Sequence, residues 1–217
     1  MMQARSIPAR WYFDLVSPFA YLHLKRFGEL HPALDVELVP VLFAGLLKRW
    51  ENKGPAEIVP KRLHTYRSCV WTAARHGIPF RMPPRHPYNP LHALRLLVAL
   101  DSPRAAVDAA FDFVFGEGRD VAAEWPEFCA RLGVDAARAA TLVADPAVKQ
   151  RLMDNTAAAA ALGVFGVPTL AVRGENFWGS DTIAWCNAFI DDPRMFETGE
   201  MKRAAEVDVG AARKEVA

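Results

Sequence analysis

Residues 11–22 read WYFDLVSPFAYL, and this stretch contains the turn that decides the predicted fold. Residues 11–16 are a short apolar run rich in aromatic side chains, which indicates a buried strand. Ser17 and Pro18 follow, and a serine at the N-cap with a proline at the first helical position is a strong signal for a helix start. Apolar residues then recur near helical spacing over residues 19–27. The sequence therefore predicts a strand that leads through Ser17 directly into a helix.

The chain beyond this turn contains one more strand and then a long helical block. Residues 35–43, with the sequence DVELVPVLF, indicate the second strand. Residues 44–145 show no convincing strand, and clusters of proline and glycine divide them into segments with helical patterns. The predicted helices of this block cover residues 44–50, 57–76, 90–100, 104–116, 125–132 and 135–143.

The block is followed by a helix, a hairpin and a last helix. An alanine-rich segment favours the first of these helices, because alanine has the highest intrinsic helix propensity. The predicted elements are a helix at residues 146–162, a strand at 168–172, a tight turn at 173–176, a return strand at 177–178 and a helix at 181–190. Ser180 or Gly179 is the expected cap of the last helix. Beyond Met201 the pattern has no strong apolar face, which leaves a frayed helix or a tail.

The order of these elements predicts the fold class. The predicted chain consists of a strand, a helix and a strand, then the helical block, and then a helix, two strands and a helix. Without the block, this is the element order of a thioredoxin-like unit. The sequence therefore predicts an α/β protein, a thioredoxin-like domain interrupted by an all-helical insertion domain. Its expected domains are residues 1–45 and 146–203 for the thioredoxin-like part, 46–145 for the insertion and 204–217 for a tail.

Composition narrows the class of function. The chain has 217 residues, and its 52% hydrophobic content excludes a disordered chain. Its formal net charge of +1 argues against a broad nucleic-acid interface. No apolar run reaches the roughly 20 residues of a spanning helix, and residues 1–10 lack the apolar stretch of a signal peptide. We therefore expect a cytoplasmic protein with no nucleic-acid and no membrane partner.

The three cysteines do not suggest a disulfide framework. Cys69, Cys129 and Cys186 are odd in number and far apart, and none has CxxC spacing. No other cysteine or histidine lies near them at the spacing of metal ligands, so we expect no metal site on them.

The first candidate site is the turn at Ser17. A helix N-terminus offers unpaired N–H groups and the positive end of the helix dipole, which stabilise a thiolate or another anion. Thioredoxin-like oxidoreductases have Cys-x-x-Cys at this turn, whereas this chain has Ser17 and Ala20. A dithiol redox cycle is therefore excluded at this position. The alternative is that Ser17 is only an N-cap.

The second candidate site is the segment GVPT at residues 166–169. A proline that opens a strand after a turn indicates a cis bond, here Val167–Pro168, and an exposed backbone edge that could pair with a peptide ligand. The alternative is an ordinary loop before an edge strand.

Two further sets of residues could bind charged groups. Ser180 with neighbouring amides could bind a carboxylate, and Asp181 could accept hydrogen bonds from an ammonium group. Asn52 and Lys61 could pair with a second carboxylate. The alternative for Ser180 and Asp181 is that they only cap a helix. The alternative for Asn52 and Lys61 is that they are solvated surface residues. Together with Ser17 and the GVPT segment, these sets offer one partner for each part of glutathione, a tripeptide with a thiol, an α-amino acid end and a glycyl carboxylate.

The combination of motifs resembles a known family. The chain is similar to 2-hydroxychromene-2-carboxylate isomerases, which are related to kappa-class glutathione transferases within the DsbA-like branch of the thioredoxin superfamily. The resemblance runs from about Trp11 to Ile190. The motifs that carry it are SPFAYL at 17–22, Asn52, Lys61, GVFGVPT at 163–169 and FWGSD at 177–181, with weaker matches at GIP 77–79, YNPL 88–91 and ALR 93–95.

The resemblance implies a glutathione cofactor and a role for each matching residue. It implies that Ser17 is the catalytic residue, hydrogen-bonded to the glutathione sulfur. The other implied contacts are Asn52 and Lys61 with the glycyl end, Val167 beside Pro168 with the cysteinyl backbone, and Ser180 and Asp181 with the γ-glutamyl end. The chain departs from the family at Thr182, where arginine is frequent, and at His64, where tyrosine is frequent. These departures concern the second substrate.

The resemblance also implies a reaction. Members of the family interconvert 2-hydroxychromene-2-carboxylate and trans-o-hydroxybenzylidenepyruvate in the degradation of aromatic hydrocarbons. We therefore expect a glutathione-dependent isomerase of a small aromatic substrate, working as a homodimer. The alternatives are a kappa-like glutathione transferase or peroxidase and, in a different class, a non-catalytic thioredoxin-like binding module.

Overall fold

A computed structural model describes residues 6–211 of the chain. It contains four strands, β1 (Ile7–Phe13), β2 (Leu34–Pro40), β3 (Thr169–Val172) and β4 (Glu175–Trp178). Its α-helices are α1 (Pro18–Lys25), α2 (Phe43–Arg49), α3 (Val59–Arg75), α4 (Leu91–Ala99), α5 (Arg104–Phe111), α6 (Trp125–Arg131), α7 (Ala136–Ala144), α8 (Pro146–Ala161), α9 (Ile183–Asp191) and α10 (Gly199–Ala205). Among the described residues, no helix is long and apolar enough to cross a membrane.

The strands form one sheet in the order β2-β1-β3-β4. β1 pairs in parallel with β2, while β3 is antiparallel to both β1 and β4. Trp11 lies opposite Leu38 on one side and Leu170 on the other, so residues from both ends of the sequence meet at the centre of the sheet. The helices from α2 to α8 lie between the two halves of the sheet in sequence. This is the α/β architecture with inserted helices that the sequence predicts.

The first strand begins and ends earlier than predicted. β1 covers Ile7–Phe13 rather than residues 11–16, because a turn interrupts the apolar run at Asp14. The Asp14 carboxylate accepts a hydrogen bond from Val16 N at 2.9 Å, and Ser17 N donates to Asp14 O at 3.0 Å. Both bonds close the chain into a turn, so Leu15 and Val16 are loop residues despite their hydrophobicity.

The C-terminal elements also differ in their bounds. β4 begins at Glu175, inside the predicted turn. α9 begins at Ile183 after Thr182, so neither Ser180 nor Gly179 caps it. Gly179 instead has a φ of 99°, and the Thr182 hydroxyl donates to its carbonyl at 3.0 Å, which makes this segment a separate turn. α10 continues to Ala205, and the tail predicted at residues 204–217 stays a prediction, since residues 212–217 lie outside the described part.

One aromatic core joins the sheet to the inserted helices. The rings of Trp11 and Phe13 on β1 stack at 4.9 Å, and Phe111 of α5 lies 5.7 Å from Phe13 and 6.2 Å from Trp11. All three side chains are fully buried. The two predicted domains thus share one hydrophobic core, and their boundaries at residues 45/46 and 145/146 remain a prediction.

The three cysteines are free thiols in buried positions. Burial raises the pKa of Cys69 to about 12 and those of Cys129 and Cys186 to about 11. A thiol with so high a pKa is almost entirely protonated near neutral pH, so none of them is an activated nucleophile.

Candidate functional site

Ser17 occupies the N-cap of α1, as predicted, and is buried, with 7% of the residue exposed. Its Oγ accepts a hydrogen bond from Ala20 N at 3.2 Å, which satisfies one of the free N–H groups of the first turn. The same hydroxyl donates to Val167 O at 3.3 Å, across 150 residues of sequence. Ser17 is therefore both a helix cap and a link between the start of α1 and the loop before β3.

The loop before β3 contains a cis peptide bond between Val167 and Pro168, as predicted. Its position is fixed by hydrogen bonds on two sides. Trp50 Nε1 donates to Val164 O at 2.9 Å, and Gly179 N donates to Pro168 O at 2.9 Å. The loop thus joins three parts of the molecule, namely the end of α2, the turn at Ser17 and the turn after β4.

Ser180 and Asp181 follow Gly179, so the hydrogen bond from Gly179 N to Pro168 O places their turn beside the loop. Ser180 is 6% exposed, whereas Asp181 is exposed. The carbonyl of Ser180 accepts a hydrogen bond from Arg26 Nη1 at 2.7 Å, and Arg26 forms a two-point ion pair with Glu29. The structure therefore brings Ser17, Val167, Pro168 and this turn into one connected region.

Asn52 and Lys61 are both exposed and are less closely tied to this region. The Asn52 side chain accepts a hydrogen bond from Lys53 N at 2.8 Å, and Lys61 lies in the first turn of α3. Within residues 6–211, no hydrogen bond joins either side chain to the turn at Ser17. Trp50, two residues before Asn52, contacts the loop through Val164 and places this end of α2 near the site.

Sequence reasoning missed the role of Asp14. Its carboxylate is 1% exposed and accepts hydrogen bonds at 2.9 Å from Val16 N and from Phe43 N at the start of α2. Burial raises the pKa of Asp14 to about 7, although both hydrogen bonds act in the opposite direction. The available signal was a single acid inside an apolar run.

Two side chains of the inserted segment also reach the turn, a third contacts one of them, and none was predicted. Tyr88 donates its hydroxyl hydrogen to Leu15 O at 2.8 Å, and His86 Nε2 lies 2.7 Å from Val16 O. The Tyr66 hydroxyl lies 2.7 Å from the other ring nitrogen of His86. These contacts bind the backbone immediately before Ser17 to the helical part of the molecule.

Exposed aromatic rings line the loop before β3. Phe165 and Trp178 form a T-shaped pair with 5.1 Å between ring centroids, and they are 43% and 50% exposed. A Cβ at Gly166 would lie 2.6 Å from Trp178 Nε1, so glycine allows this ring to lie against the loop. The rings provide an apolar surface on which a planar ligand could pack.

Two surface clefts lie elsewhere on the molecule. One of about 310 Å³ includes Phe27, Val36 and Arg104, and one of about 550 Å³ includes Arg10 and Asn176. Neither is lined by Ser17 or Pro168. The candidate site is thus defined by converging hydrogen bonds rather than by either cleft. In the part of the chain described, no cluster of three potential metal ligands occurs.

The sequence model of the DSBA-like thioredoxin domain family matches residues 10–190. Among curated proteins, a 2-hydroxychromene-2-carboxylate isomerase from Sphingobium xenophagum is 27% identical over 189 residues, covering 84% of this chain and 97% of the relative. Glutathione S-transferase kappa 2 from Caenorhabditis elegans is 25% identical over 207 residues, covering 85% and 92%.

A solved structure of a 2-hydroxychromene-2-carboxylate isomerase has the same fold. It matches with a TM-score of 0.73 and 23% identity, covering 93% of this chain and all of the other. The predicted thioredoxin-like fold with inserted helices is confirmed by this match together with the family match.

Proposed function

This chain belongs to the DSBA-like thioredoxin domain family, and from that membership and the region around Ser17 we propose that it is a glutathione-dependent isomerase. Its reaction is the interconversion of 2-hydroxychromene-2-carboxylate and trans-o-hydroxybenzylidenepyruvate or of a close aromatic analogue. The observation that carries the proposal is that a serine hydroxyl, not a thiol, caps α1 and contacts the loop at Pro168. The resemblance to isomerases named for this substrate supports it.

The residues present fit glutathione. The buried Ser17 hydroxyl at the N-terminus of α1 suits a thiolate, because a donor and the helix dipole both favour negative charge there. The backbone of Val167 suits the cysteinyl part of a peptide. Asp181 is exposed and free to accept hydrogen bonds from an ammonium group beside Ser180, and Asn52 and Lys61 suit the glycyl carboxylate.

Glutathione would supply a thiol that adds reversibly to a conjugated double bond, so that rotation can occur about a single bond. The chain's own residues must favour the thiolate and orient the substrate. Ser17 does the first by transferring its hydrogen bond from Val167 O to the sulfur. Phe165 and Trp178 offer an apolar surface for the aromatic ring beside this point. We also propose that the chain is a cytoplasmic homodimer, and light scattering of the purified chain would test the dimer.

The test is an isomerisation assay with and without glutathione. We expect conversion of the chromene carboxylate only in the presence of glutathione, with the free thiol concentration unchanged after many turnovers. Loss of free thiol in proportion to product would instead favour the kappa-like transferase, for which the nematode relative is the supporting observation. Absence of glutathione binding in calorimetry at millimolar concentration would contradict both and favour a binding module.

A further inference from the structure

The peptide bond between Val16 and Ser17 is held on both of its polar sides. Its N–H, which belongs to Ser17, donates to Asp14 O at 3.0 Å. Its carbonyl, which belongs to Val16, lies 2.7 Å from His86 Nε2. A peptide unit is planar, so two contacts on opposite sides fix its orientation. The position of the Ser17 Cα, and with it the direction of the hydroxyl, follows from that orientation.

The contact with Val16 determines which nitrogen of His86 carries hydrogen. A carbonyl oxygen only accepts, so Nε2 must be the donor in this pair. Burial lowers the pKa of His86, although the bond to Val16 opposes this, and the neutral ring then carries hydrogen on Nε2 alone. Nδ1 is therefore left as an acceptor, and the Tyr66 hydroxyl lies 2.7 Å from it.

The Tyr66 hydroxyl lies between two acceptors of the same residue. Besides Nδ1 of His86, it is 2.8 Å from the His86 carbonyl oxygen. The two rings meet edge to face with 5.2 Å between centroids, and Phe115 packs against His86 at 6.0 Å. The imidazole is thus fixed in place by ring packing and by Tyr66, while the Val16 carbonyl sets its tautomer.

We propose that His86 is a positioning residue for Ser17, acting through the Val16 carbonyl, and that Tyr66 holds the imidazole in place for this contact. The inserted helices then have a direct role at the site, since Tyr66 lies on α3 and His86 in the loop that follows it. Only the consequence for glutathione rests on the proposed function. The effect on the backbone at Ser17 does not.

The first experiment measures how well the backbone at Ser17 is held when no ligand is bound. Amide hydrogen exchange at Ser17 is compared in the wild type, His86→Phe and His86→Gln by NMR. Phenylalanine keeps a ring among the same neighbours but has no donor, whereas the glutamine amide offers an N–H near the position of Nε2. We expect exchange roughly threefold to tenfold faster in H86F and near the wild-type rate in H86Q, as for loss and recovery of one hydrogen bond. Equal rates in all three proteins would overturn the proposal.

Amide exchange at Ser17 also tests the role of Tyr66. We expect faster exchange in Tyr66→Phe than in the wild type, because the imidazole loses the hydroxyl that holds it, and an unchanged rate would overturn this part of the proposal. The imidazole ¹⁵N shifts of wild-type His86 should show hydrogen on Nε2, and hydrogen on Nδ1 alone would overturn the proposal.

A double-mutant cycle on glutathione affinity then tests the path through Ser17. We expect H86F to weaken glutathione binding roughly threefold to tenfold in the wild-type background but hardly at all in Ser17→Ala. A packing role for His86 would make the two changes additive, and additivity would overturn the proposal. If the wild type binds no glutathione, the proposed function fails, and the exchange rates at Ser17 still decide the inference.

Discussion

At the scale of single residues, the hydroxyl of Ser17 is shared between Ala20 N and Val167 O. Its bond to Val167 is 3.3 Å long, which is weak for a hydroxyl donor. A thiolate in its place would receive a charge-assisted bond, which is roughly twice as strong as a neutral one. Replacing the Val167 carbonyl by a thiolate as the acceptor of the Ser17 hydroxyl therefore favours the ionised form of a bound thiol.

Ser17→Ala should keep the fold and reduce glutathione-dependent turnover. Pro18 still sets the first turn of α1, and losing an N-cap costs about 1 kcal/mol. A hydrogen bond to a charged group is worth roughly 1.5–3 kcal/mol, so the pKa of the bound thiol should rise by about one to two units. Turnover measured from pH 6 to 9 should show a deficit that shrinks as pH rises. A wild-type rate across that range would refute the role of Ser17.

Ser17→Cys is the companion variant for this measurement. It restores a thiol at the start of α1 but not the second thiol of a Cys-x-x-Cys pair, because position 20 is alanine. We expect its turnover still to require added glutathione. Activity without glutathione would mean that a protein thiol can replace the cofactor.

His23 and Asp14 should give opposite pH dependences of stability. His23 is 1% exposed, and burial, followed by the charge of Arg26, lowers its pKa from 6.5 to about 3. Between these values the unfolded chain binds the extra proton, so the free energy of unfolding falls as pH falls through this window. The pKa of Asp14 is about 7 in the folded state and 3.8 in the unfolded chain, so between these values the folded state binds the extra proton. The contribution of Asp14 to the free energy of unfolding therefore falls as pH rises from about 4 to 7.

Urea unfolding of single variants between about pH 3 and 7 separates the effect of His23 on stability from that of Asp14. His23→Gln keeps an acceptor for Trp11 Nε1, which donates to His23 Nδ1 at 3.2 Å, but it does not titrate. Relative to the wild type, H23Q should gain up to about 1.4 kcal/mol for each pH unit below 6.5. Asp14→Asn should change the slope in the opposite direction. Parallel pH profiles for both variants and the wild type would contradict the assigned pKa shifts.

At the scale of elements, the helix and strand ends that depend on neighbouring residues could be predicted from the sequence. The ends that depend on tertiary contacts could not. The start of α1 followed from Ser17 and Pro18, because N-cap chemistry lies within four residues of sequence. The end of β1 did not, because Asp14 turns the chain with the help of Phe43 N, which is 29 residues away. The link from Ser17 to Val167 could be expected from the family resemblance only. His86 carried no recognisable signal in the sequence.

Gly166→Ala tests how closely the loop before β3 packs against Trp178. The new Cβ would lie 2.6 Å from Trp178 Nε1, so the indole must move away from Phe165. Loss of such an aromatic pair costs about 0.5–1.5 kcal/mol, and we expect a lower unfolding temperature and weaker glutathione binding. Gly28→Ala is the matched control, since its Cβ would meet no atom within 4 Å. Equal effects of the two variants would show that Trp178 does not pack against this loop.

At the scale of the whole molecule, the site and the core both cross the predicted domain boundaries. The site takes Ser17, Val167 and Ser180 from the thioredoxin-like part and is braced by His86 of the inserted segment. The core joins Phe13 of β1 to Phe111 of α5. A sequence pattern reveals which residues are apolar but not which distant ones meet, so this shared core could not be read in advance.

Because the core is shared, thermal unfolding should be a single transition. Phe111→Leu removes ring contacts with Trp11 and Phe13. It should lower the free energy of unfolding by a fraction of the roughly 3–5 kcal/mol lost in a full truncation, and the midpoint temperature should fall with it. Far-ultraviolet circular dichroism, which is dominated by the helices, and the NMR signal of the Trp11 indole N–H, which reports the sheet, should change at the same temperature. Leu63→Ala is the control, because that residue is 51% exposed and its loss should change the midpoint little. If the helical signal were lost first while the sheet signal persisted, the insertion would unfold independently and the two parts would not share one cooperative core.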